Sequence, residues 1–308
     1  MPLHPQAAAF LRETADAPPL DACTPEENRA ALTQVVPLTG PAVPLPVVED
    51  VALPTASGPV PVRVYRPSLA PGLPAIAHFH GGGWTVGDLD SHDTTCRDLA
   101  AGAEAVVVAV DYRRGPEDPF PAAYDDCLAV TDALLQDGAG LGVDPARVAV
   151  AGDSAGGNLA AVVALALRGV GAGLVHQALI YPATDLAGIG ETASYREYAE
   201  GHFLTTRDMR YFRDSYLAGH DPADPRVSPL RAEDLSGLPP ATVVTGERDP
   251  LRDEGEAYAD RLRAAGVPAE VRRFAGQVHP FVLMAGMIDD AVEARRYLSA
   301  RLRAAFAG

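Results

Sequence analysis

The run Val148-Ala149-Val150-Ala151-Gly152-Asp153-Ser154-Ala155-Gly156-Gly157-Asn158 constrains this chain more than any other stretch. It opens as an apolar segment with strand character and closes into the small, helix-forming residues Leu159 to Leu167. Between them stands Gly152-x-Ser154-x-Gly156. A strand that feeds straight into a helix turns sharply. The positions two before and two after the apex must then be nearly free of side chain, and glycine occupies both. Ser154 is expected to stand off the strand end in a strained backbone conformation, above the positive end of the next helix. A serine so placed can be a nucleophile. The competing reading is a glycine turn with no chemistry.

The flanking sequence alternates strands with helices. Val47 to Leu53 and Val60 to Tyr65 read as two antiparallel strands with a turn near Ser57-Gly58. Pro74 to His80 is a third strand, running into His80-Gly81-Gly82-Gly83-Trp84. Ala105 to Val110 is apolar throughout, as a strand buried on both faces would be. A helix over Ala122 to Gln136 follows, then the serine strand, then a strand over Val175 to Tyr181. The alternation lapses between Asp185 and Asp224. It resumes with a strand over Ala241 to Thr245, a helix over Asp253 to Ala265, a strand over Ala269 to Phe274 and a helix over Asp289 to Ala305. This order implies an α/β fold with a mostly parallel sheet covered by helices on both faces.

The chain of 308 residues is expected to form one domain, 1–308. Helices over Gln6 to Thr14 and Pro25 to Gln34, with a proline-rich connector from Pro37 to Pro46, read as a covering segment. With the insertion at about 185–224 it would form a cap over a core of about 47–184 and 225–308. A net charge of −16 disfavours nucleic acid and anionic membrane as partners. No apolar run reaches the roughly 20 residues of a membrane span, so no stable membrane insertion is expected. Cys23, Cys96 and Cys127 lack metal or disulfide spacing and read as free thiols of a reducing, cytoplasmic setting. The sequence holds no lysine, which excludes Schiff-base, Ser-Lys and P-loop chemistry.

A serine nucleophile needs a base, and the base needs a group to fix its tautomer. On a parallel sheet these partners belong after later strands, in the order serine, acid, histidine. Asp249 follows one such strand and His279 follows the next, so both are candidates, with Glu247 and Asp253 as rivals to Asp249. An oxyanion needs pre-aimed N–H donors. Gly82 and Gly83 at a strand end, with the N–H of Ala155, could supply them, while His80 would brace the loop.

Taken together, these residues resemble the hormone-sensitive-lipase-like family of α/β-hydrolases. The resemblance rests on His80-Gly81-Gly82-Gly83-Trp84, Gly152-Asp153-Ser154-Ala155-Gly156-Gly157, Asp249-Pro250-Leu251-Arg252-Asp253-Glu254-Gly255 and His279-x-Phe281. Asp111-Tyr112-Arg113, Pro119-Phe120-Pro121-Ala122-Ala123 and Tyr181-Pro182 support it. It implies the α/β-hydrolase fold with a helical cap, a carboxylesterase preferring short acyl chains, no metal or organic cofactor, and a homodimer through the last strand. Trp84, Tyr112, Asp153, Tyr181, Phe203 and Phe281 are candidate substrate-binding residues. Two departures stand out: Pro280 replaces the usual glycine after the histidine, and Gly115 and Asp118 alter a loop near the site. An amide or carbamate hydrolase with the same machinery is the nearest alternative. A non-catalytic small-molecule receptor on this scaffold is a more distant one.

Overall fold

The computed structural model describes residues 2–170 and 173–308. Helices α1 (Pro5–Glu13) and α2 (Pro25–Thr33) precede strands β1 (Val47–Leu53), β2 (Val60–Arg66) and β3 (Leu73–Phe79). Then come α3 (Asp93–Ala103), β4 (Val106–Val110), α4 (Ala122–Asp137), β5 (Val143–Asp153), α5 (Ala155–Ala166) and β6 (His176–Ile180). The remainder is α6 (Ala193–Glu197), α7 (Thr206–Leu217), β7 (Ala241–Arg248), α8 (Arg252–Ala264), β8 (Ala269–Val278) and α9 (Asp289–Ala307). The eight strands form one sheet in the order β1-β2-β4-β3-β5-β6-β7-β8. Only β2 runs against its neighbours; every pair from β4 to β8 is parallel.

The layering follows from side-chain alternation along each strand. In β4, Val106, Val108 and Val110 face the side covered by α4, α5 and α8. Val107 and Ala109 face the side covered by α1, α3 and α9. No residue of β4 reaches solvent, so its apolar composition suits a strand sandwiched between two helical layers. Each valine so buried contributes on the order of 2 kcal/mol of transfer free energy.

Helix α3 was not among the elements read from the sequence. Its buried face is Thr94, Thr95, Cys96, Leu99, Ala100 and Ala103, mostly small or polar, and it lies against α9. The last strand also runs longer than expected, through Val278 rather than Phe274. That extension carries the backbone up to His279. Among the described residues, no helix is long and apolar enough to cross a membrane.

The amino-terminal helices and the 185–224 segment meet over the C-terminal ends of the parallel strands. Asp21 pairs with Arg207 at 2.8 Å, Asn28 donates to the Tyr211 hydroxyl, and the Phe10 and Phe203 rings lie 5.0 Å apart. Arg29 of α2 donates to the carbonyls of Thr85 and Gly115 and grips Glu117 with two nitrogens.

Candidate active site

Parallel strands deliver their C-terminal ends to one rim of the sheet. Ser154 leaves β5 there as the residue before α5, with φ +56° and ψ −116°, a region a side chain enters only at a cost of about 1–3 kcal/mol. The surroundings enforce it. The Ser154 N–H donates to the Ile180 carbonyl at 2.8 Å, and Asn158 donates to the carbonyls of Ala183 and Val227. Gly156 packs so tightly that a methyl group there would fall onto the Phe79 carbonyl oxygen. Gly156→Ala is therefore expected to cost about 3 kcal/mol of stability, read from the urea midpoint, because the obstacle is backbone that cannot swing aside.

The β7–α8 loop carries Asp249 and the loop after β8 carries His279. His279 lies between the other two: Nε2 is 3.0 Å from the Ser154 Oγ and Nδ1 is 2.8 Å from the Asp249 Oδ2. Asp249 is wholly buried, and its Oδ1 accepts from the Leu251 N–H at 2.8 Å. A buried carboxylate facing Nδ1 draws the ring proton to that nitrogen. Nε2 then offers its lone pair to the Ser154 hydroxyl. Pro280 does not displace the imidazole, since both contacts are made. The rival carboxylates are engaged elsewhere: Glu247 accepts from the Gly276 N–H, and Asp253 accepts from the Ser194 N–H and from Arg252.

The glycine run forms a tight turn beside Ser154. Gly82, at φ +114°, accepts from the N–H groups of Thr85 and Val86. The N–H groups of Gly82, Gly83 and Ala155 have no acceptor among the described residues. Phe212 of α7 lies directly on Gly83. His80 braces the turn: its Nδ1–H donates to the Gly81 carbonyl at 2.8 Å and its ring stacks on Tyr112 at 4.1 Å. Burial, with His92 nearby, pulls the His80 imidazole down to about 3, which keeps it neutral.

Of the six candidate substrate-binding residues, only Phe203 presents much surface, with 39% exposed. Trp84 is buried and stacks on Tyr216 at 4.7 Å, fastening the glycine turn to α7. The buried Tyr112 donates its hydroxyl to the His80 carbonyl. Tyr181 stands 4.5 Å from the His279 ring, and Phe281 packs behind it on Phe274. Asp153 is buried against Gly81 and His92. Burial pushes its carboxyl up, but the neighbouring imidazoles, His92 foremost, leave it below the ordinary carboxylate range. Gly115, one of the departing loop residues, lies against the Ser215 backbone of α7.

Sequence reasoning passed over His92, Phe212 and Arg29. His92 had a signal, the short polar cluster Asp88-x-x-Ser91-His92-Asp93 that follows the glycine run. Nothing local marks the other two.

Residues 76–283 match a family model described as alpha/beta hydrolase fold. The chain is 45% identical over 243 residues to the carboxylic ester hydrolase LipN of Mycobacterium tuberculosis, covering 76% of this chain and 64% of LipN. It is 38% identical over 307 residues to the ethyl acetate hydrolase of Pseudomonas putida, covering 95% and 96% of the two chains. A solved esterase from Pyrobaculum calidifontis superposes with a TM-score of 0.92 at 39% identity, covering 99% of each chain. The chain belongs to the alpha/beta hydrolase fold family, within the hormone-sensitive-lipase-like branch whose motifs it carries.

Proposed function

We propose that this chain is a serine carboxylesterase that hydrolyses short-chain carboxylic esters through an acyl-enzyme intermediate. The observation that carries the reading is the single imidazole within hydrogen-bond reach of both the Ser154 hydroxyl and the Asp249 carboxylate. Ser154 Oγ attacks the ester carbonyl while His279 Nε2 takes its proton. Asp249 holds Nδ1–H and stabilises the imidazolium. The tetrahedral oxyanion is met by the N–H groups of Gly82, Gly83 and Ala155. His279 then passes its proton to the departing alkoxide, leaving acylated Ser154 and free alcohol. Water, deprotonated by the same imidazole, attacks the acyl carbon; the carboxylic acid leaves and the serine is restored. Its likeness to proteins named as ester hydrolases supports the substrate class, and its likeness to one named as an ethyl acetate hydrolase supports small acyl groups.

The test is a series of p-nitrophenyl esters from acetate to decanoate, with matching anilides, on the intact protein. The expected result is highest kcat/KM at two to four acyl carbons, far slower anilide cleavage, and a fluorophosphonate label that mass spectrometry places on Ser154. Turnover of anilides at ester rates would move the reading to an amidase. Folded protein that resists the label would remove Ser154 as nucleophile.

A further inference from the structure

We propose that Asp153 and His92 are positioning residues that hold the glycine turn in register with the nucleophile. The inference rests on the serine-esterase reading above, because it concerns the donors that reading assigns to the oxyanion.

The oxyanion donors come from two separate parts of the chain. Ala155 belongs to α5; Gly82 and Gly83 belong to the loop after β3. Nothing covalent sets their distance from each other, yet they must converge on one oxygen atom to be useful. Asp153 spans that gap. It is the residue immediately before Ser154, so its backbone moves with the nucleophile. Its Oδ1 accepts from the Gly81 N–H at 3.0 Å, at the first residue of the glycine run. His92 Nε2 lies 3.0 Å from the same oxygen and 3.1 Å from the Gly81 nitrogen. The Gly81 N–H is thus shared between Asp153 Oδ1 and His92 Nε2, and the ring and the carboxylate, 3.0 Å apart, clamp it between them. His92 is itself fixed by the Ser91 hydroxyl, 2.9 Å from Nδ1, and Ser91 is locked by Asp88 on both its N–H and its hydroxyl.

Both side chains are 2% exposed. A buried carboxylate is costly unless fully hydrogen-bonded, so the arrangement has little freedom to relax once formed. Gly81 is suited to this contact: a methyl group there would collide with the Asp153 carboxylate. Removing the strut would leave the triad geometry untouched while letting Gly82 and Gly83 drift. A displacement near 1 Å at such a site is expected to lower turnover about 100-fold.

The test uses Asp153→Ala, His92→Ala and His92→Gln in the full chain. Folding is checked by near-UV circular dichroism, and active sites are counted by phosphonate titration. Folded Asp153→Ala and His92→Ala are expected to lose about 10- to 100-fold in kcat, with KM within about threefold. The inhibition constant of a trifluoromethyl ketone, whose serine adduct places an oxyanion in the turn, should rise in parallel with the loss in kcat/KM. His92→Gln, whose side-chain amide can still donate to the carboxylate, should recover most of the loss. Wild-type kcat in folded His92→Ala, a rise in KM alone, or a loss that vanishes after site counting would overturn the proposal. If Asp153→Ala does not fold, the two His92 variants decide. The two readings fail differently. A wild-type protein inert toward esters, or unlabelled Ser154, defeats the esterase assignment. An active wild type with fully active His92 variants defeats only this one.

Discussion

Ser154→Ala is expected to lower kcat on a p-nitrophenyl ester by about 10⁴- to 10⁶-fold while leaving the urea midpoint nearly unchanged. The hydroxyl contributes little to holding the turn. The φ of +56° is set by main-chain bonds to Ile180 and by the packed glycines, none of which the substitution touches. What disappears, on the proposed mechanism, is the atom that forms the acyl bond. The residual rate should be that of substrate held against the oxyanion donors with no nucleophile, so it should not respond to acyl length as the parent does. Progress curves at high enzyme concentration, on protein freed of any parent contaminant, provide the check. A variant that keeps more than a hundredth of the parent turnover would place the chemistry elsewhere.

Acid is expected to destabilise the protein from about pH 6.5 downward, before the carboxylates titrate. Three histidines are buried and held neutral: burial pulls His78 to about 4, His80 to about 3 and His176 to about 4, from an ordinary 6.5. Below pH 6.5 the unfolded chain takes these protons and the folded chain does not. The unfolded state therefore binds more protons, and stability falls as pH falls. Each such proton is worth about 1.4 kcal/mol per pH unit. Carboxyls that burial raises oppose the trend: it holds Glu254 well above 4.5 and lifts Asp111 and Asp125, which offsets part of the loss. The three histidines alone set an upper bound of about 4 kcal/mol lost per pH unit between roughly 5 and 6. Against a total stability of about 5–15 kcal/mol, unfolding should set in between about pH 4 and 5. Urea midpoints at pH 7.5, 6.0 and 5.0 measure the slope. His176→Gln, at the far end of β6 from the active-site rim, should flatten it by about one proton. A slope unchanged between pH 7.5 and 5.0 would contradict this account.

The sequence revealed those parts of the molecule that depend on short spacings. Runs such as Val106–Val110 are apolar because both faces are covered, and that signal survives without any knowledge of the neighbours. Ser154, Asp249 and His279 were legible because each sits at a strand end within a short, distinctive motif. Helix α3 was not, since Thr94, Thr95, Cys96 and Ala100 give no contrast between an apolar and a polar face. Its burial comes from α9, where Arg295 reaches the Thr94 hydroxyl and Asp98. Nor does the sequence show which rings the aromatic residues beside the motifs meet: Trp84 stacks on Tyr216 and Tyr112 on His80. The contact of His92 with Asp153 joins positions too distant in sequence for any periodicity to record.

Arg29 gives the amino-terminal arm a role that its length alone would not suggest. One guanidinium clasps Thr85 just past the glycine run and Gly115 in the neighbouring loop, with Glu117 closing the grip. The arm is thus riveted to the two loops that flank the glycine turn. Anyone trimming the chain to its hydrolase core, or fusing a rigid partner immediately upstream of α2, should expect those two loops to loosen.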